Sequence, residues 1–125
     1  MNTPVSFKLA KLLKEKGFDL HTFTYYRNSE TFIHSSAPYE CKYNDSKNSL
    51  SAPTIAQVLM WLYEKYKIWI NSEMDYSYSS EKTYHFGKVR FFDENKFIKE
   101  YPTKSYDAPI EAYEAAIEYT LTKLI

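Results

Sequence analysis

The sequence predicts a two-layer α+β domain, in which a largely antiparallel sheet of about four to five strands carries three helices mainly on one face. Three segments place apolar residues at helical spacing, and the segments between them are rich in aromatic and β-branched residues. Short polar turns join most of the predicted strands, so we expect most pairings to be hairpins. The predicted order is α-β-β-α-β-β-β-α, in a single domain over residues 1–125.

The first helix is predicted over about 4–16. Thr3 is a suitable N-cap and is followed by Pro4, a residue favoured at the first helical position. Gly17 supplies a stop signal. The apolar stripe of this helix consists of Val5, Leu9, Leu12 and Leu13.

A first hairpin is predicted from the segments LHTFTYYR (20–27) and TFIH (31–34), with a turn at 28–30 between them. The following residues, 35–50, are dominated by Ser, Asn, Asp, Lys and Pro. This composition is typical of a long surface loop, and loops of such length in small domains are often functional or mobile.

A second helix is predicted over 53–66, after the start signal Ser51-Ala52-Pro53. Its apolar face contains Ile55, Val58, Leu59, Leu62 and Tyr66. The tripeptide IWI (68–70) that follows is continuously apolar, which is typical of a buried central strand.

A second hairpin is predicted over MDYSYSSEKTYHFGKVRFFD (74–93), around a turn at 79–81. The segment KFIKEY (96–101) then predicts an edge strand, and Asp107-Ala108-Pro109 starts the last helix. The stripe of this helix contains Ile110, Tyr113, Ile117, Leu121 and Leu124.

Composition excludes several classes of protein. The 16 basic and 16 acidic residues cancel, which argues against a nucleic acid partner because duplex binders usually carry a basic excess. Cys41 is the single cysteine, so no internal disulfide can form. No signal peptide or run of about 20 apolar residues is visible. We expect a soluble cytoplasmic protein without membrane contact.

Two segments, SAPTIAQVLMWLYEKYKIWI (51–70) and APIEAYEAAIEYTLTKLI (108–125), resemble a family of short uncharacterised proteins of gut-anaerobe bacteria and their prophages. The opening segment VSFKLAKLLKEKGFD is similar to that family as well. The resemblance implies an accessory protein associated with phages or mobile elements, and it transfers no functional residues because the shared motifs are caps and apolar stripes.

Enzyme chemistry is not predicted. His21, His34, His85 and Cys41 are the soft ligands of the chain, and none is paired at a spacing that metal sites require. Cys41 and His34 lack a visible activating environment for a nucleophile. We therefore expect no catalytic residue, no metal and no cofactor, and a small hydrolase is a distant third hypothesis.

The second hairpin suggests an alternative function, binding of single-stranded nucleic acid. Aromatic residues on one face, beside basic residues, can stack bases and contact phosphates. The aromatic candidates are Tyr76, Tyr78, Tyr84 and Phe86, and the candidate phosphate contacts are Lys88 and Arg90. Because the chain has no net charge, the simpler interpretation is that these rings cover the sheet.

The second helix suggests self-association. On a helical wheel centred on Ile55, Met60 falls at about 140° and Trp61 at about 240°, on either side of the polar residues. Such a helix is either buried within its own subunit or half of an interface, and a homodimer is one interpretation.

The main hypothesis is a non-enzymatic accessory or interaction protein with an unidentified protein partner. Its candidate surface combines Met60 and Trp61 with the four hairpin aromatics.

Overall fold

A computed structural model describes residues 2–27, 30–35 and 39–125. The helices are α1 (Phe7–Glu15), α2 (Ile55–Tyr66) and α3 (Pro109–Tyr119), and a π-helical turn, Thr120–Leu124, extends α3. The strands are β1 (Thr24–Arg27), β2 (Phe32–His34), β3 (Ser49–Ser51), β4 (Trp69–Ser77), β5 (Lys82–Phe92) and β6 (Ile98–Pro102). Within these ranges no helix is long and apolar enough to span a membrane.

The α+β class is confirmed, but the single sheet of four to five strands is wrong. Six strands are found among the described residues, and they form two separate antiparallel sheets, in the orders β2-β1-β3 and β4-β5-β6. The helix α2 stands between the two sheets in the chain. Each sheet therefore forms from neighbouring segments, as short connections favour.

The additional strand, β3, lies at the end of the segment that was predicted as a loop over 35–50. Ser51 pairs with Tyr25 of β1, and the Asn44 side chain accepts the Ser51 N–H at 2.8 Å. This polar segment forms a strand because backbone and Asn44 hydrogen bonds hold it and because its one apolar residue, Leu50, is buried in the main core. Residues 36–38 of the predicted loop, and most of the predicted turn at 28–30, lie outside the described residues.

The helix boundaries follow their caps. The Ser6 hydroxyl accepts the Leu9 N–H, so α1 begins at Phe7 rather than at Pro4. Thr54 and Gln57 form a reciprocal capping box that starts α2 at Ile55 rather than at 53. Lys67, with a φ of 56°, ends α2 in a left-handed conformation.

The sequence predicted that the three helices lie mainly on one face of a single sheet. This is wrong, because the strands form two sheets and the helices do not all cover the same one. The helix α3 covers the second sheet, where an added Cβ at Gly87 would meet the Ala112 carbonyl oxygen at 2.5 Å. The main core lies between the helices and includes Leu9, Leu13, Ile55, Val58, Trp61, Leu62, Ile117 and Leu121. Trp61 is thus a core residue.

Candidate functional site

The face of the second sheet that points away from α3 carries the candidate site. Side chains alternate along β5, so Gly87 and Val89 are buried beneath α3, whereas Lys88, Arg90 and Phe92 lie on the opposite face. Residues that pair directly share a face, which places Trp69 beside Arg90 and Ile98 beside Phe92. We refer to this side of the sheet as the open face.

An apolar strip crosses from α2 onto the open face. We define the open apolar surface as the exposed side chains of Met60, Tyr63, Trp69, Phe92 and Ile98, which are 40–64% exposed. Met60 lies one turn before Tyr63, and the Tyr63 and Trp69 rings are 4.8 Å apart. Together the five side chains expose on the order of 500 Å², in the range in which the largest patch of a monomer is often functional.

A cleft lies within this surface. Its volume is about 380 Å³, and Trp69, Phe92 and Ile98 line it together with Ile70, Asn71, Phe91 and Arg90. Most of the lining is apolar, and Asn71 and Arg90 supply its polar side chains. A space of this size and chemistry admits one or two large apolar side chains of a ligand.

A row of four charged residues borders the cleft. The Lys88 ammonium lies 3.1 Å from Glu73 and 3.8 Å from Glu100, and the Arg90 Nε donates to Glu100 at 2.8 Å. The two cations proposed as phosphate contacts therefore already have carboxylate partners. Two positive and two negative groups also leave this part of the face without net charge.

The hairpin aromatics do not share one face. Tyr84 and Phe86 lie on the open face, whereas Tyr76 pairs with Thr83 and points to the α3 side. Tyr78 lies in the turn, where its ring contacts Tyr76 at 4.9 Å. The four rings therefore do not form the single platform considered for the alternative function, because the register pairs Tyr76 with Thr83 and puts Tyr76 and Tyr84 on opposite faces.

Tyr84 is also engaged locally. Its hydroxyl donates to Asp75 at 3.2 Å, and this hydrogen bond, together with the charge of Asp75, raises the pKa of Tyr84. This hydrogen bond therefore links the Tyr84 side chain of β5 to the Asp75 side chain of β4. Tyr78, which is 87% exposed, is the most accessible of the four hairpin rings.

Trp61 is not part of an exposed surface. It is 3% exposed and packs edge-on against Phe18 at 5.3 Å and Tyr66 at 5.5 Å. Phe18, which follows α1, covers the side of α2 that the helical wheel left open. Met60, its neighbour in sequence, is 57% exposed and belongs to the open apolar surface.

Sequence reasoning missed four of the five residues of the open apolar surface. Trp69 was assigned to a buried central strand, yet β4 is an edge strand of its sheet and Trp69 is 49% exposed. The signal was present in the alternation Trp69-Asn71-Glu73, which is typical of a face in contact with water. Tyr63, Phe92 and Ile98 carry no comparable signal.

The residues considered for catalysis are spread over several elements. His21 and His34 are exposed, His85 pairs with Tyr106, and Cys41 pairs with Thr22. Among residues 2–27, 30–35 and 39–125, no group of three or more His, Cys, Asp and Glu side chains is placed to hold a metal ion.

Glu114 is the acidic side chain of α3 whose titration the fold perturbs. It lies half-buried against the start of α1, where its carboxylate accepts the Ser6 N–H at 3.2 Å. Burial raises the pKa of Glu114, the bonds from Ser6 oppose this shift, and repulsion by Glu118 adds to it. Because the folded pKa lies above the unfolded one, protonated Glu114 stabilises the fold, and this contribution is lost as pH rises through the folded pKa.

Replacing Glu114 by glutamine should therefore stabilise the protein at neutral pH by less than about 1 kcal/mol, a small effect because solvent screens a half-exposed group. The advantage should disappear in acid, where Glu114 is itself protonated. Urea denaturation of both proteins across the acidic and neutral range measures this difference. Glu111→Gln, an exposed change on the same helix, is the control and should give no such gain at neutral pH. A constant difference at every pH would contradict the assignment.

The site is interpreted from its own residues. No family model, no curated protein and no solved structure matches this chain. The resemblance drawn from residues 51–70 and 108–125 stays a prediction.

Proposed function

We propose that this chain is a non-enzymatic interaction protein that binds a protein partner through the open apolar surface. One observation supports this proposal above the others. Five large apolar side chains from α2, β4, β5 and β6 are 40–64% exposed in one strip, and three of them, Trp69, Phe92 and Ile98, line a cleft. Exposed apolar area that is continuous and concave usually marks a binding site.

The chemistry of the strip indicates what the partner presents. The cleft accepts one or two apolar anchor residues, which contribute most of the energy in typical interfaces. The charged row at its border, in which Lys88 and Arg90 alternate with Glu73 and Glu100, suits the polar rim of a protein interface. An accessory role in phages or mobile elements belongs to the same proposal, and only the sequence resemblance supports it.

The alternative function, binding of single-stranded nucleic acid, has weaker support. Tyr84, Phe86, Lys88 and Arg90 do share the open face, as a stacking platform requires. However, Lys88 and Arg90 contact carboxylates, and a phosphate would have to displace Glu73 or Glu100. Neutral surroundings lower the affinity for a polyanion.

Photo-crosslinking in the producing cells tests the proposal. A photoreactive phenylalanine analogue at position 98 should capture one defined protein, whereas the same analogue at position 78, in the exposed turn, should not. The purified partner should then bind the unmodified chain, and Ile98→Asp should weaken binding by about tenfold or more, because a charge replaces an apolar contact. Tyr78→Asp serves as the matched surface control.

Three outcomes would count against the proposal. Indistinguishable crosslinking at 98 and 78 would remove the site. Equal affinity of the partner for Ile98→Asp and for the unmodified chain would place the interface elsewhere. Salt-sensitive binding of single-stranded oligonucleotides that Tyr84→Ala abolishes would favour the alternative function.

A further inference from the structure

The free edge of β4 offers a second interaction surface, which adjoins the open apolar surface at Trp69 and Ile70. Nine residues of β4 pair with β5 in an unbroken register from Trp69–Arg90 to Ser77–Lys82. The strand β4 lies at the edge of its sheet, so half of its backbone groups point away from β5. The hydrogen bonds between β5 and β6 identify the residues of β4 whose backbone groups point outward.

Odd-numbered residues of β5 bond toward β6. The Thr103 N–H donates to the Gly87 carbonyl at 2.8 Å, and His85 and Tyr106 exchange bonds of 2.8 and 2.7 Å. In an antiparallel ladder each residue directs both of its backbone groups to the same neighbour. Even-numbered residues of β5 therefore bond β4, through the pairs that join Lys88 to Asn71 and Phe86 to Glu73.

It follows that Ile70, Ser72, Met74 and Tyr76 direct their N–H and C=O groups away from the sheet. The Tyr76 N–H is bonded to the Asp75 carboxylate at 2.8 Å. For the backbone groups of Ile70, Ser72 and Met74, the described part of the chain supplies no partner. Edge strands are commonly blocked by prolines, bulges or charged side chains, lysine above all. The strand β4 contains no proline, lysine or bulge, and its two charged residues, Glu73 and Asp75, are acidic and lie on the open face.

The opposite edge differs. The strand β6 contains Lys99 and ends at Pro102, which has no N–H to offer a neighbour. Both are devices that discourage pairing at an edge. The second sheet is thus protected on one side and open on the other.

We propose that two copies of this chain pair along β4, antiparallel, around a two-fold axis at Ser72. The outward-facing groups then meet in three residue pairs, Ser72 with Ser72 of the second copy and Ile70 with Met74 in both directions. Each of these pairs exchanges two backbone hydrogen bonds. The product is one continuous six-stranded sheet with α3 of both copies on the same face.

The side chains select this register. An axis at Glu73 would place that carboxylate opposite its own copy, and an axis at Met74 would place Glu73 opposite Asp75, so both are repulsive. An axis at Asn71 brings only two outward pairs together, Ile70 with Ser72 in each direction. The axis at Ser72 places Glu73 opposite Asn71, an amide donor, and brings apolar Ile70 and Met74 together.

One unusual side chain of the monomer is explained by this arrangement. Met74, which is 66% exposed on the edge, becomes covered by Ile70 of the second copy.

Amide hydrogen exchange and sedimentation of the full chain test the pairing. At high micromolar concentration the mass should be that of a dimer, and the Ile70, Ser72 and Met74 amides should exchange about tenfold or more slowly than in dilute solution. The Asn71 and Glu73 amides, which bond β5 in either state, should change little and act as internal controls. A monomeric mass at high concentration would overturn the proposal, as would a dimer whose Ile70, Ser72 and Met74 amides stay unprotected.

A pair of variants separates the edge from the rest of the surface. Met74→Pro removes one outward N–H and leaves the bonds to β5 intact, so it should abolish the dimer and keep the fold by circular dichroism. Met74→Lys, an edge charge, should do the same. Tyr78→Lys is the exposed control and should stay dimeric. Ile98 lies two strands away from this edge, so the crosslinking result at position 98 is independent of the outcome here.

Discussion

Replacing Gly87 by alanine should lower the free energy of unfolding by about 3 kcal/mol, the upper end of typical overpacking effects. The new methyl group would lie 2.5 Å from the Ala112 carbonyl oxygen and 2.8 Å from the Ala116 Cβ. Neither contact can be relieved by rotating a side chain. The helix α3 must therefore move away from β5, which separates it from Val89 as well.

Urea denaturation of this variant, with Gly17→Ala as the control, measures the effect. Gly17 has a φ of +83° and open space around it, so its alanine variant meets no atom and costs only the backbone strain of a left-handed conformation, about 1 kcal/mol. The comparison separates steric overlap from backbone strain. Equal destabilisation of the two variants would mean that α3 does not lie as close to the sheet as described.

Truncating Trp61 to alanine should destabilise the protein by about 3–5 kcal/mol, whereas Met60→Ala should change stability by less than about 0.5 kcal/mol. The two residues are adjacent in α2, but Trp61 is 3% exposed and Met60 is 57% exposed. Removing the indole leaves a cavity against Phe18 and Tyr66, which the surrounding helices can fill only in part.

Thermal and urea unfolding followed by circular dichroism compare the two variants, since the change itself removes a fluorophore. Trp61→Phe should recover part of the loss, because it refills the cavity and also removes an indole N–H that has no hydrogen-bond partner among the residues that the structure describes. A mild Trp61→Ala phenotype together with a large loss for Met60→Ala would reverse the assignment of core and surface on α2.

The helices were predictable because their apolar residues recur at a spacing that only a helix brings to one side. The stripe of Ile55, Val58 and Leu62 is buried in α2. The division into two sheets was not predictable, since nothing in the strand sequences states whether segments before and after α2 pair. The strand β3 was hidden for a further reason, because Ser49 and Ser51 are polar residues in a polar segment.

The candidate site depended on register, which the sequence specifies poorly here. A hairpin that shifts by one residue moves every side chain to the opposite face. The predicted turn at 79–81 and the observed pairing of Ser77 with Lys82 differ enough to separate Tyr76 from Tyr84. Exposure was equally hidden, because Trp69 is as apolar as a buried residue and only its position on an edge strand leaves it in water.

In the proposed function, the self-neutralising charges beside the cleft affect how quickly a partner reaches the open apolar surface. Lys88 and Arg90 with Glu73 and Glu100 project little field into solvent, so these four groups give an approaching partner no long-range attraction. Association then proceeds by unsteered diffusion, with rate constants of about 10⁵–10⁶ M⁻¹s⁻¹ that vary little with ionic strength. Partners would then differ mainly in their dissociation rates. These rates depend on how well an anchor side chain of the partner fits between Trp69 and Ile98.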